Sequence, residues 1–144
     1  MRIRLITEGK VKDAALRALE ADYVARLKHF TELVIEETPR RGATKRGTKP
    51  GKASGSITVC LDASGREWTS QQFAGWLGKQ ALSGTREIAF LVGGPEGFTA
   101  AFKQQANLVL ALSRLTLTHD WARVLLLEQI YRAFTILRGY PYAR

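Results

Sequence analysis

The sequence predicts an α/β fold in which a mostly parallel sheet carries helices on both faces. Short apolar segments of strand length alternate along the chain with longer segments whose apolar residues recur every three or four positions. Parallel strands need crossover connections, which are usually helices, so this alternation favours a parallel sheet. The 144 residues, 45% hydrophobic and 24% charged, predict a single globular domain over residues 1–144. No apolar run approaches the roughly 20 residues of a membrane-spanning helix, so no membrane partner is predicted.

The first half of the chain predicts a strand, a helix and two further strands. Residues 2–6 are mainly apolar and alternate, which is typical of a strand. Residues 13–30 form the predicted helix, because their apolar side chains recur at helical spacing. Residues 33–35 and 57–61 are short apolar runs, and we expect both to be buried strands.

The next helix has the clearest local start signal in the sequence. Thr69 and Gln72 form a T-x-x-Q capping box, and Gly84 is placed to end the helix. A strand over 87–92 follows and stops at a Gly-Gly-Pro turn. A short helix is expected to begin at Thr99.

The C-terminal part predicts a strand over 107–112 and a final helix from an Asp120 N-cap to about Leu137. Residues 124–127 are apolar around a full helical turn, although a terminal helix normally leaves one side to solvent. We therefore expect a second subunit to cover that side and form a homodimer. A helix lying against its own sheet is the alternative, and the sequence leaves it open.

The net charge of +9 indicates a polyanionic partner. Lys and Arg total 22 against 13 acidic residues. Six of these positive charges lie between Arg40 and Lys52, where no acidic residue occurs. We interpret residues 39–55 as a basic flexible loop that contacts nucleic acid phosphates. A solvated loop that only aids solubility is the alternative.

Three predicted strand ends carry unusual residues, at 61–62, 93–97 and 113–119. Ligands of open α/β sheets bind beyond the carboxyl ends of the strands, so these segments are the candidate site. Adjacent glycines at 93 and 94 have no side chains, so a ligand can contact the backbone atoms directly. The pattern is neither G-x-G-x-x-G nor a Walker loop, which disfavours dinucleotide and nucleoside triphosphate sites.

Few polar side chains near these ends are candidates for chemistry. His119 lies at the start of the last helix, where the helix dipole favours neutral imidazole, so it can relay a proton or simply anchor the loop. Glu128 and Arg132 have the spacing of a helical salt bridge, which leaves Arg123 as the freer cation. Cys60 is the only cysteine, and no Cys/His group has metal-ligand spacing, so no metal is predicted.

Four segments together carry a resemblance to a known family. They are Leu-Val-Gly-Gly-Pro-Glu-Gly at 91–97, Leu-Ser-Arg-Leu-Thr-Leu-Thr-His at 112–119, Arg-Val-Leu-Leu-Leu-Glu-Gln-Ile-Tyr-Arg-Ala-Phe at 123–134, and Pro-Tyr at 141–142. In this order and chain length they resemble the SPOUT-class ribosomal RNA large subunit methyltransferase H family. The resemblance implies a homodimer with a C-terminal trefoil knot. It also implies S-adenosyl-L-methionine as cofactor and methylation of N3 of a pseudouridine in 23S ribosomal RNA, with the assembled ribosome as substrate. A cytoplasmic location is predicted separately, because residues 1–8 are too few and too polar for a secretory signal segment.

Transferred by position, the resemblance implies two groups of site residues. Cofactor contacts fall on Leu61, Gly93, Gly94, Ser113, Arg114, Leu115, Thr116, Leu117 and Thr118. Catalytic roles toward the RNA fall on His119, Arg123, Arg132 and Tyr142, with Tyr142 serving the partner's site.

The chain departs from the family where substrate would bind. Ala143 replaces a histidine of the family's C-terminal tail, and Thr118 and Asp120 flank His119 where the family often has proline. Two alternatives therefore stay open. One is a non-catalytic RNA-binding protein of ribosome assembly, and the other is a SPOUT methyltransferase that acts on transfer RNA.

Overall fold

The computed structural model describes residues 1–39, 54–93 and 96–142. The helices and strands follow the predicted order, as β1 (Arg2–Glu8), α1 (Ala14–Leu27), β2 (Glu32–Thr38), β3 (Ser56–Glu67), α2 (Ser70–Leu82), β4 (Glu87–Val92), α3 (Ala100–Gln105), β5 (Leu108–Ala111) and α4 (His119–Arg138). The predicted basic loop 39–55, apart from its ends, lies outside the described residues, as do Gly94 and Ala143.

Within residues 1–39, 54–93 and 96–142, five strands form one sheet in the order β2-β1-β4-β3-β5, and every pair is parallel. Parallel crossovers are almost always right-handed, so connections that run in opposite directions across the sheet lie on opposite faces. The α1 and α2 connections run one way and cover one face, together with α4. The α3 connection runs the other way and covers the second face. This confirms the predicted class, with most of the helical cover on one face.

Strand alternation divides the apolar residues between two cores. The larger core lies under α1, α2 and α4 and includes Ile3, Leu5, Val59, Phe90, Leu127 and Ile130. The smaller core lies under α3 and includes Ile6, Cys60, Leu91 and Phe98. β4 contributes to both cores, which explains its unbroken apolar run. None of the helices in the described ranges has the length and apolar character needed to cross a membrane.

The capping box predicted for α2 is confirmed. The backbone N–H of Gln72 donates to Thr69 Oγ1 at 3.1 Å, and the N–H of Thr69 donates to Gln72 Oε1 at 2.9 Å. Each side chain satisfies a backbone donor that the first turn of a helix leaves unpaired.

The predicted N-cap of α4 is wrong by two residues. Thr118 is the N-cap, and its hydroxyl accepts from the backbone N–H of Trp121 at 3.4 Å. Asp120 lies inside the first turn, where its carboxylate accepts from the backbone N–H of Lys12 at 3.0 Å. Both residue types cap helices well, and the contact with the distant Lys12 engages Asp120 elsewhere.

Most of the apolar turn in α4 is buried within its own chain. Val124, Leu126 and Leu127 are at most 4% exposed. They pack against other helices and the sheet, so the alternative left open by the sequence accounts for this turn. The apolar turn therefore gives no reason to expect a second subunit.

β3 bulges where it passes β5. Leu61 and Arg66 both pair with Leu110, so residues 62–65 project from the ladder. A Cβ on Gly65 would lie 2.6 Å from the carbonyl oxygen of Val109, which only glycine avoids. The bulge thus fits closely on the neighbouring strand, and the residues from 61 to 63 face the carboxyl end of the sheet.

Candidate active site

A cleft of about 530 Å³ lies at the bulge of β3 and the carboxyl ends of β4 and β5. Its lining residues are Leu61, Asp62, Ala63, Val92, Gly93, Gly97, Leu112, Ser113, Leu115, Thr116, Leu117, Thr118, His119 and Ala122. The volume suits a small molecule, and the lining is mainly apolar with a few polar groups. The three strand ends singled out in the sequence therefore meet at one site.

Seven of the nine predicted cofactor residues line this cleft, namely Leu61, Gly93, Ser113, Leu115, Thr116, Leu117 and Thr118. Arg114 does not line it, because its exposed guanidinium pairs with Glu67 at 3.0 Å. Gly94 lies outside the described residues. Contact of the seven residues with a cofactor stays a prediction.

Residues 113–118 form one wall of the cleft as a short, self-supported loop. The backbone N–H of Leu115 donates to Ser113 Oγ at 2.9 Å, which holds the start of the loop, and Thr118 caps α4 at its end. Leu115 is 78% exposed, so the loop presents an apolar group that the described residues leave largely uncovered. An apolar ligand face would bury this surface.

Gly93 has a packing role that the sequence did not reveal. A Cβ at this position would lie 3.2 Å from the ring of Phe98, closer than ordinary van der Waals contact. Phe98 belongs to the core under α3. Glycine at 93 therefore lets the turn after β4 close over that core as well as exposing backbone to the cleft.

Asp62, in the strand end at 61–62 that the sequence placed in the candidate site, adds a carboxylate to the cleft for which the sequence analysis proposed no role. Its Oδ1 accepts from the backbone N–H of Ser64 at 2.9 Å and lies 3.6 Å from Lys103 Nζ. Burial raises the pKa of Asp62, but the hydrogen bonds from Ser64 and the charge of Lys103 outweigh it and hold the pKa below its usual value. The signal in the sequence was an acidic residue directly after a buried strand run.

His119 has a ring nitrogen without a hydrogen-bond partner among the described residues. Its Nδ1 lies 3.2 Å from Asp120 Oδ1, and its side chain is 15% exposed. Its Nε2 is buried and has no hydrogen-bond partner in the described part of the chain. A buried polar atom without a partner is rare and costly, and a ligand in the cleft could satisfy it.

Arg123 is not the freer cation that the sequence suggested. It is fully buried, and its guanidinium donates to both carboxylate oxygens of Glu20, at 2.8 and 2.7 Å. It also donates to Thr7 Oγ1 and the carbonyl of Gly9, both at 3.1 Å, and lies 3.7 Å from Glu37. These partners lie in four different parts of the fold, so spacing along α4 gave no sign of them. Arg123 ties α4 to α1 and the sheet.

Arg132 and Tyr142 lie together, away from the lining of the cleft. The predicted helical salt bridge is confirmed, with Arg132 Nε donating to Glu128 Oε1 at 3.0 Å. The guanidinium lies over the Tyr142 ring at 4.9 Å, and the Tyr142 hydroxyl lies 2.9 Å from that of Tyr23. Burial, followed by the contacts with Tyr23 and Glu128, raises the pKa of Tyr142. A role for this pair in catalysis stays a prediction.

Within residues 1–39, 54–93 and 96–142, no three His, Cys, Asp or Glu side chains form a group that could hold a metal ion. Burial raises the pKa of the Cys60 thiol to about 12, and the charge of Asp62 adds to this. The thiol is therefore protonated at neutral pH and is a poor nucleophile.

Comparisons with known proteins point to one family. Residues 1–143 match a family model described as "Predicted SPOUT methyltransferase". Ribosomal RNA large subunit methyltransferase H of Geobacter metallireducens is 38% identical, with 99% of this chain and 98% of the relative aligned. The protein of the same name from Deinococcus deserti is 37% identical, and the alignment covers all of both chains.

A solved structure supports the fold independently of sequence similarity. It is described as a probable methylase family protein from Haemophilus influenzae, and it superimposes with a TM-score of 0.59 at 10% identity. The match covers 99% of this chain and 70% of that one. The parallel sheet, the cleft at its carboxyl edge and these full-length matches lead to one conclusion: the chain belongs to the SPOUT methyltransferase family.

Proposed function

We propose that this methyltransferase modifies 23S ribosomal RNA on the assembled ribosome, at N3 of a pseudouridine, with S-adenosyl-L-methionine as the methyl donor. The name shared by the full-length relatives supports ribosomal RNA as the substrate. The observation that carries the proposal is the apolar cleft lined in part by His119, whose Nε2 is buried without a partner among the described residues.

The cleft fits this methyl donor in size and in charge. S-adenosyl-L-methionine supplies a methyl group already activated by a positively charged sulfur. The apolar walls, with Leu61 and Leu115, suit an adenine ring, and the Asp62 carboxylate complements the positive charge of the ligand. Asp62 Oδ2 has no hydrogen bond within the described residues, which leaves it able to accept one from the ligand.

In this mechanism His119 removes the proton that blocks the nucleophile. The imide N3 of a pseudouridine is protonated at neutral pH and reacts as its anion, so a base must take the proton. The N3 electron pair forms the new N–C bond as the methyl–sulfur bond breaks, and the N3 proton goes to Nε2 of His119. Arg123 does not stabilise the anion in this scheme, because Glu20 already neutralises it.

The proposal includes a homodimer in which Arg132 and Tyr142 complete the partner's site. Neither residue lines the cleft of its own chain. Leu19 on α1, Ile136 on α4 and Tyr140 beyond it are 43%, 41% and 57% exposed, so apolar surface remains for a second copy to cover. A dimer that uses this surface would bring Tyr142 close to the interface.

The remaining assignments follow from the same substrate. We propose that residues 1–144 act as one domain with the C-terminal trefoil knot of the family, and that the charges between Arg40 and Lys52 bind RNA phosphates. An enzyme that acts on bacterial ribosomes works in the cytoplasm, which is the localisation we propose.

Replacing Asp62 with Asn is expected to weaken S-adenosyl-L-methionine binding about tenfold, because a charged hydrogen bond contributes about 1.5–3 kcal/mol and a neutral amide less. Titration calorimetry of both proteins measures the change. Asp22→Asn, at an exposed position on α1, is the matched control and should bind as the wild type does. Equal affinities for wild type and Asp62→Asn would contradict a contact between Asp62 and the ligand.

The substrate is tested by incubating the protein and radiolabelled S-adenosyl-L-methionine with assembled ribosomes, free 23S ribosomal RNA and transfer RNA in parallel. Label in 23S ribosomal RNA of assembled ribosomes, recovered as N3-methylpseudouridine on nucleoside analysis, is the expected result. Label in transfer RNA alone would replace the proposal with the transfer RNA alternative. Absence of cofactor binding in a folded protein would favour the non-catalytic RNA-binding alternative.

A further inference from the structure

We propose that Asp120 is a positioning residue that holds His119 in the tautomer with a bare Nε2 toward the cleft. The inference rests on the proposed function for its catalytic meaning. Its structural part concerns the protein alone. It starts from one contact, in which Asp120 Oδ1 lies 3.2 Å from Nδ1 of His119.

A second contact fixes the Asp120 carboxylate. Oδ2 accepts from the backbone N–H of Lys12 at 3.0 Å, across 108 residues of chain. Lys12 lies between β1 and α1, so an element outside α4 holds the carboxylate in place. One oxygen is therefore committed to the backbone, and the other is directed to the imidazole.

Asp120 is an anionic acceptor in this arrangement. Burial raises its pKa, but hydrogen bonds from the backbone of Lys12, from His119 and from the backbone of Asp13 outweigh this and lower the pKa. An ionised carboxylate can only accept hydrogen bonds. When the imidazole is neutral, its proton therefore lies on Nδ1, and Nε2 carries the lone pair.

The bare Nε2 is what the proposed reaction needs. It is buried and unpartnered within the described residues, and His119 is one of the residues that line the cleft. An imide N–H presents a donor, which a lone pair on Nε2 accepts and a proton on Nε2 would repel. A structural role for Asp120, joining α4 to the β1–α1 connection, would not depend on the tautomer of His119.

The test uses Asp120→Asn, with two readouts. The amide oxygen can still accept from Lys12, and the amide NH₂ then donates to Nδ1, which moves the imidazole proton to Nε2. The chain has two histidines, so nitrogen-15 NMR of the imidazoles can assign the His119 tautomer in the free protein, with His29 as internal reference.

The second readout is single-turnover methylation at saturating S-adenosyl-L-methionine, where about a 100-fold loss is expected. Glu32→Gln, on an exposed strand residue, is the matched control and should change neither readout.

The outcomes separate this inference from the proposed function. A wild-type protein whose neutral His119 carries its proton on Nε2 overturns the inference. This measurement uses the wild-type protein alone, so it does not depend on whether a variant folds. An Asp120→Asn protein with normal turnover also overturns it, even where the wild type methylates ribosomes. If the wild type methylates no ribosomal RNA, the proposed function fails, while the tautomer measurement still decides the structural part.

Discussion

His119→Ala is expected to slow methyl transfer by about 100- to 10,000-fold while leaving the affinity for S-adenosyl-L-methionine unchanged. The imidazole is the base in the proposed scheme, and its Nε2 is buried without a partner among the described residues. Removing it leaves the N3 proton without an acceptor. The apolar walls and Asp62, which we propose bind the cofactor, remain.

Single-turnover methylation of ribosomes measures the chemical step, and calorimetry measures cofactor affinity on the same preparations. His29→Ala is the control, because His29 is exposed just after α1 and does not line the cleft. A His119→Ala protein that methylates at the wild-type rate would remove the histidine from the mechanism. A large loss of cofactor affinity would instead assign it to binding.

Arg123→Met is expected to destabilise the fold by about 3–5 kcal/mol, because it leaves the largely buried Glu20 carboxylate without its counter-charge. Glu20 has a 13% exposed side chain and receives two hydrogen bonds from the guanidinium. Thr7 and the carbonyl of Gly9 lose a donor in the same change. Urea unfolding followed by circular dichroism measures the difference in the free energy of unfolding.

Two comparisons make this result specific to the buried pair. Glu20→Gln added to Arg123→Met removes the unpaired charge and should recover part of the lost stability. Arg26→Met breaks an exposed ion pair with Asp22 and should shift the urea midpoint far less. Equal shifts for Arg123→Met and Arg26→Met would show that burial of the Arg123 network adds nothing.

The features that the sequence predicted well depend on interactions between residues that are close together in the chain. The α2 cap needs only Thr69 and Gln72, three positions apart, and the strand over 87–92 needs only a continuous apolar run between turn residues. The position of the cleft was also predictable from the sequence, because the carboxyl ends of parallel strands lie at one edge of the sheet whatever the strand order.

What the sequence failed to predict depends on contacts between distant positions. Glu20 and Arg123 are 103 residues apart, and Lys12 and Asp120 are 108 apart. From spacing along the sequence, Arg123 was predicted to be the freer cation, and Asp120 was predicted to be the N-cap of the last helix. Both errors came from side chains whose partners only the folded chain brings near.

The strand order also decides when, during synthesis, this enzyme gains its site. Residues 1–92 contain β2, β1, β4 and β3, which are contiguous in the sheet, and β5 adds later against β3 alone. A chain emerging from the ribosome exposes its N-terminal part first. One wall of the cleft, from Leu112 to Ala122, is made only after β1 to β5. A nascent chain that stops before this wall can carry most of the sheet, but it lacks one side of the proposed cofactor site.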